Sequence, residues 1–106
     1  MKHTLKVFLA ALALVLAFST WSLADSGADT FKAKCAMCHG GDGKGDTAMG
    51  KNLKLRDLGS ADVQSQSDAD LTKTITDGKG KMPKYDGKLT KDQIEEVVKF
   101  IRTLKH

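Results

Sequence analysis

Five residues constrain this chain more than any others: Cys35-Ala36-Met37-Cys38-His39. The C-x-x-C-H spacing is the pattern of covalent haem c attachment. Each cysteine can form a thioether with a haem vinyl group, and the adjacent histidine then meets the iron as its proximal ligand. A chain that folds around a flat apolar ring needs little core of its own, so the motif bears on the fold as well as the cofactor. Other uses of paired cysteines fit less well. A thioredoxin-like dithiol follows a strand in a βαβ unit, whereas the residues before Cys35 read as helical. A structural zinc site takes four ligands, and the sequence has only these two cysteines and no second Cys or His pair.

The residues ahead of the motif read as a secretory leader. Lys2 and Lys6 supply a positive start, and Val7 to Phe18 is an unbroken apolar run. That run suits a signal-peptide core and is short for a bilayer span. Ser22-Leu23-Ala24 places small residues at the −3 and −1 positions, so cleavage is expected between Ala24 and Asp25. The alternative is an uncleaved anchor. The expected organisation is a signal peptide over 1–24 and one domain over 25–106, exported to the periplasm, with no stable membrane insertion after cleavage.

Removing the leader changes the composition. Loss of Lys2 and Lys6 lowers Lys+Arg from 17 to 15 against 13 Asp+Glu, and the net charge from +4 to +2. Haem propionates would cancel most of that. With no Lys/Arg-rich block, nucleic acid is not an expected partner. Trp21 also goes, leaving Phe31, Tyr85 and Phe100 as the aromatics. So short a domain buries a modest share of its surface and often needs a staple. A covalently held ring would be one.

The pattern is helical, without internal repeats, linkers or sustained strand alternation. Glycines cluster in 40–50 and 78–87. A first helix is expected from Ser26 into Cys35, with Gly27, Phe31 and Cys35 sharing a face. Gly27 there would let another helix approach closely. Ser60 to Gln64 reads as a single turn. Ser67 reads as an N-cap before acidic Asp68 and Asp70, Leu71 and Ile75 as a short stripe, and Gly78 as a left-handed cap. Thr90-Lys91-Asp92-Gln93 fits a capping box. Ile94, Val97, Val98, Ile101 and Leu104 then recur at helical spacing, with Glu95 and Lys99 placed as an i, i+4 pair. Val97, Phe100, Ile101 and Leu104 are positioned to cover Gly27 and Phe31.

A proximal His39 leaves one axial position. The candidates are Met37, Met49, Met82 and His106, with His3 in the leader. Met37 lies inside the attachment loop and cannot reach the far face. Met49 follows His39 closely after a glycine-rich loop. Met82 stands in Gly78-Lys79-Gly80-Lys81-Met82-Pro83, before the only proline. Proline holds the preceding residue extended, which suits a side chain presented to a ligand. Methionine is a usual partner of electron-carrying haem. Met82 is the favoured ligand; Met49, a histidine or an open position are the alternatives.

Cys35-Ala-Met-Cys-His39, Gly40-Gly-Asp-Gly-Lys-Gly45, Gly80-Lys-Met-Pro83 and the helix over 90–104 together resemble a small bacterial class I c-type cytochrome. The resemblance spans residues 25–106 and is weakest over 50–76. It implies an all-α fold of about three to four helices around one haem c, with N- and C-terminal helices crossing at Gly27/Phe31 and Val97/Phe100. It also implies ligation by His39 and Met82. Relatives often carry a proline after the glycine of Gly50-Lys51-Asn52-Leu53, whose carbonyl meets the proximal histidine; this chain has Lys51 there. The tryptophan that some relatives place at a propionate is absent, and Arg56 is the substitute candidate.

Histidine–methionine ligation closes the iron to small molecules and raises its potential. The expected function is therefore soluble one-electron carriage between redox partners, by a monomer and not an enzyme. Lys34, Lys44, Lys79, Lys81, Lys84 and Lys88 are candidates for a basic ring at the haem edge that steers acidic partners. Two alternatives stand beside it. One is a gas sensor or weak peroxidase with a labile sixth ligand. The other is a haem module of a larger oxidoreductase.

Overall fold

The computed structural model describes residues 26–106; the expected leader and its cleavage site lie outside them. Six helices follow in order: α1 (Ser26–Lys34), α2 (Ala36–His39), α3 (Ala48–Leu53), α4 (Ala61–Gln64), α5 (Asp68–Asp77) and α6 (Lys91–Thr103). Among the described residues, extended pairing is limited to two isolated bridges, Lys79 with Met82 and Asp86 with Leu89.

The expected helices occur where periodicity and caps place them. Thr90 caps α6 with both bonds of a capping box: its hydroxyl accepts from the Gln93 N–H at 3.1 Å, and the Gln93 side chain accepts from the Thr90 N–H at 2.8 Å. Ser67 caps α5 by accepting from the Asp70 N–H. The two single-turn or two-turn helices α2 and α3 were not expected. Both lie in or beside the glycine-rich stretch, where no apolar period marks a helix.

Two details depart from expectation. Gly78 ends α5 with φ 76° but ψ 172°. That is an extended, positive-φ conformation, almost confined to glycine, rather than a left-handed cap. Lys99 pairs with Glu96 at 3.0 Å instead of Glu95; the i+3 and i+4 positions are both helix neighbours.

The scaffold is the crossing of α1 over α6. A Cβ on Gly27 would run into the Glu96 carbonyl, so backbone meets backbone there and glycine is required. One turn on, the Phe31 and Phe100 rings pack at 4.9 Å between centroids. Phe31 and Val97 are each 1% exposed. Ile94, Val98 and Ile101 complete the buried stripe of α6, and Leu71 and Ile75 pack α5 against it. Arg102 ties α6 to the segment before α5. Its guanidinium donates to the Gln64 and Gln66 carbonyls at 2.9 and 2.6 Å and to Asp68 at 2.9 Å.

Candidate haem site

The attachment motif is helical, and that explains its chemistry. The Cys35 N–H donates to the Phe31 carbonyl at 2.8 Å, and the His39 N–H to the Cys35 carbonyl at 3.0 Å. The chain thus continues from α1 through α2 with a helical course. Positions i, i+3 and i+4 of a helix share a face, so Cys35, Cys38 and His39 project together. Met37 falls off that face and is 81% exposed.

The segment after His39 locks this wall. The Gly45 N–H donates to the His39 carbonyl at 2.8 Å. The Thr47 hydroxyl donates to the Cys38 carbonyl at 2.6 Å and accepts from the Gly50 N–H at 2.9 Å, so it caps α3 and pins the motif at once. A Cβ on Gly50 would approach the Cys38 carbonyl to 2.6 Å. Sequence reasoning missed Thr47; a threonine three residues before a helical N–H was its available signal.

The Met82 loop forms the opposite wall. Lys79 and Met82 exchange backbone hydrogen bonds at 3.1 and 2.9 Å around Gly80-Lys81. Gly80 has φ +58°, as the first central residue of a II′ hairpin turn requires. The Tyr85 and Asp86 N–H groups donate to the Ile75 and Thr76 carbonyls, tying the loop to the end of α5. The Tyr85 hydroxyl donates to the Lys34 carbonyl at 2.9 Å and joins the two walls. Nothing in the sequence pattern distinguished that tyrosine.

Between the walls lies a cleft of two adjoining lobes, about 460 and 290 Å³, which share Cys35, His39, Lys54, Leu55, Lys79 and Met82. Phe31, Leu58, Leu71, Ile75 and Val97 make the inner lobe apolar. Of the axial candidates in the described residues, His39 and Met82 line this cleft together. Met37 and Met49 are exposed, and His106 is engaged with Asp57 at 2.7 Å. Arg56 lines the inner lobe. Of the six lysines expected at the edge, Lys34, Lys79 and Lys81 line the cleft. Lys44, Lys84 and Lys88 are exposed beyond it, the last with its ammonium 5.8 Å from the Tyr85 ring centroid.

The donor set fits a haem better than the other uses of these residues. Burial pushes the Cys35 thiol up to about 11, and the charge of Cys38 adds to the rise. A redox-active C-x-x-C lowers its thiol pKa instead. Cys35 and Cys38 form no disulfide with each other, and both are half-buried at the cleft. Burial lowers the His39 pKa and keeps the imidazole neutral, its ligating form. Its Nδ1 is buried without a hydrogen-bond partner. The Lys51 carbonyl, at the position where relatives offer an acceptor, instead accepts from the Lys54 N–H at 3.2 Å within the last turn of α3.

Comparison with known proteins agrees with this geometry. Residues 22–101 match the family described as cytochrome C oxidase, cbb3-type, subunit III. Cytochrome c6 of Nostoc sp. (strain PCC 7120 / SAG 25.82 / UTEX 2576) is 39% identical, over 95% of this chain and 92% of that protein. Cytochrome c6 of Porphyra purpurea is 34% identical, over 95% and 93%. Among solved structures, the KustC0563 c-type cytochrome superposes with a TM-score of 0.70 at 29% identity, covering 76% of this chain and 98% of that one. The chain belongs to the small class I c-type cytochromes, and its cofactor is a single covalently bound haem c.

Proposed function

We propose that this protein is a soluble one-electron carrier whose haem c is bonded through Cys35 and Cys38 and held axially by His39 and Met82. The observation that carries this reading is the placement of Met82 in the same apolar cleft as His39, on the wall facing the attachment motif. Haem supplies the one-electron iron couple. The chain supplies the conditions for using it. A neutral His39 and a thioether sulfur favour the reduced state. Phe31, Leu71 and Ile75 exclude water from the inner lobe. The Tyr85–Lys34 bond and the Lys79–Met82 turn fix the wall that presents the sulfur, so oxidation need not move it.

The carrier reading is supported by similarity over nearly the whole length of cytochrome c6 relatives. It treats the protein as an electron carrier and not an enzyme. Lys34, Lys79 and Lys81 at the cleft mouth suit transient docking of acidic redox partners. The leader over 1–24 would place the mature protein in the periplasm, and no helix among the described residues is long and apolar enough to cross a membrane.

Potentiometric titration of the mature holoprotein tests the function. A carrier gives one reversible one-electron step with the same low-spin ligation at both ends. A ligand lost on reduction, or a slow and hysteretic titration, would overturn the carrier reading.

A further inference from the structure

The loop that carries Met82 is nearly self-contained. Among the described residues, the hydrogen bonds of 79–84 are the two between Lys79 and Met82, and both stay within the loop. The loop meets the rest of the chain at its stems. At one stem, the Gly78 N–H donates to the Thr74 carbonyl at 2.9 Å and ends α5. At the other stands Tyr85, which bonds in three directions. Its N–H donates to the Ile75 carbonyl at 3.1 Å, and its carbonyl accepts from the Lys88 and Leu89 N–H groups at 2.9 Å each. Its hydroxyl reaches across the cleft to the Lys34 carbonyl at 2.9 Å, 51 residues away in sequence.

The Lys34 carbonyl takes that bond for a local reason. It is the last carbonyl of α1, and in an unbroken helix the Cys38 N–H would donate to it. The Cys38 N–H donates instead to the Cys35 carbonyl at 3.3 Å, where α1 gives way to α2. The hydroxyl thus satisfies a helix-end carbonyl one residue before the first cysteine of the attachment motif. Among the described residues it is the single hydrogen bond between the ligand wall, residues 78–89, and residues 26–58. The Tyr85 ring lines the outer lobe with Cys35, Cys38 and Met82 and packs against the buried core. Ring and hydroxyl therefore have separable roles: the ring packs, and the hydroxyl spans the two walls.

Resting on the His39/Met82 reading above, we propose that the Tyr85 hydroxyl is the latch of the Met82 loop, a positioning group that keeps the sixth coordination position closed to small ligands. Access to that position separates an electron carrier from a binder of small molecules. Without the latch, the loop can lift from the attachment wall with no other hydrogen bond to break between them.

The test compares the mature holoproteins of Tyr85→Phe and Lys88→Gln with the parent. Phenylalanine keeps the ring and removes the hydroxyl. Glutamine removes the ammonium that stands 5.8 Å from the ring centroid and keeps the hydroxyl. Each oxidised protein is mixed with excess imidazole, and replacement of methionine is followed by loss of the methionine–iron charge-transfer band. Amide hydrogen exchange and denaturant titration are read on the same samples. Tyr85→Phe is expected to speed replacement about three-fold or more and to speed exchange at the Tyr85 and Asp86 amides, with the denaturant midpoint little changed. Lys88→Gln should keep the parental rate. A parental rate in Tyr85→Phe would overturn the proposal. So would a faster rate matched by an equal loss of global stability, which would make the hydroxyl a general structural bond. An equal rise in Lys88→Gln would also overturn it, by assigning the effect to the packing of the ring. The charge-transfer band of the parent tests the ligation separately. Its absence would fail the His39/Met82 reading itself, whereas its presence with a parental rate in Tyr85→Phe would fail this proposal alone.

Discussion

The α1–α6 crossing and the walls of the cleft are built on opposite terms. At the crossing, the two helices meet directly: Phe31 on Phe100, the Gly27 backbone on the Glu96 backbone, Val97 fully covered. At the cleft, backbone hydrogen bonds and the Thr47 and Tyr85 hydroxyls hold the walls, and the remaining side chains line it. Met82 and His39 are half-buried, and the His39 Nδ1 has no partner. The crossing is complete within the chain, whereas the cleft is completed by its cofactor. Stability and redox behaviour should therefore respond to different substitutions.

The largest effect should come from Met82→Ala. On the proposed ligation, haem should stay attached through both cysteines while the position opposite His39 opens. Carbon monoxide should bind the reduced variant, and the equilibrium with a fixed reductant should move about a hundred-fold or more towards the oxidised form. The helical circular dichroism should change little, because Met82 is only half-buried and lies on a loop outside every helix. Phe31→Ala blurs the division, since Phe31 packs in the crossing and also lines the inner lobe. It should lower holoprotein stability by about 3–5 kcal/mol in denaturant titration, with a smaller spectral change. Gly27→Ala isolates the crossing. A methyl group forced against the Glu96 carbonyl should lower stability by roughly 1–3 kcal/mol and leave the visible spectrum and the potential unchanged. A shift in potential on that substitution would break the proposed separation.

The smallest effect concerns the chain's end. The hydrogen bond from His106, with a second from the Gly59 N–H, holds the Asp57 carboxyl below its ordinary range. A depressed carboxylate pKa contributes stability that is present above the unfolded value and is lost as pH falls through the folded one. The difference between parent and His106→Ala should thus be present near neutrality and disappear in acid, below the ordinary aspartate value of about 3.9. Acid titrations of both proteins by circular dichroism check it. The contribution should be slight, because Asp57 is screened by solvent.

The two regions were also unequally legible. α6 could be read from its capping box and apolar period, and α5 from Ser67 and the Leu71/Ile75 pair, because those signals are local. Gly27 as a close-approach residue followed from its register with Phe31. The four residues of the candidate site were picked out by motif and by the proline after Met82, and the structure gathers them at one cleft. The bonding roles proposed for them rest on chemistry rather than on periodicity. What escaped were α2 and α3, Thr47, the Tyr85–Lys34 bond and the left-handed Lys54. Each depends on contacts between segments or on a backbone angle, and neither leaves a periodic trace. Lys51 shows the same limit: its carbonyl accepts from the Lys54 N–H in the turn of α3, and the His39 Nδ1 has no partner.

The most direct test of the central claim is the optical spectrum of the mature holoprotein, oxidised and reduced, with and without carbon monoxide. Ligation by His39 and Met82 predicts a low-spin spectrum, a ferric methionine–iron charge-transfer band, and no response of the reduced protein to carbon monoxide. A high-spin ferric form, or prompt carbon monoxide binding, would contradict it, removing Met82 as a firm ligand and the carrier function with it.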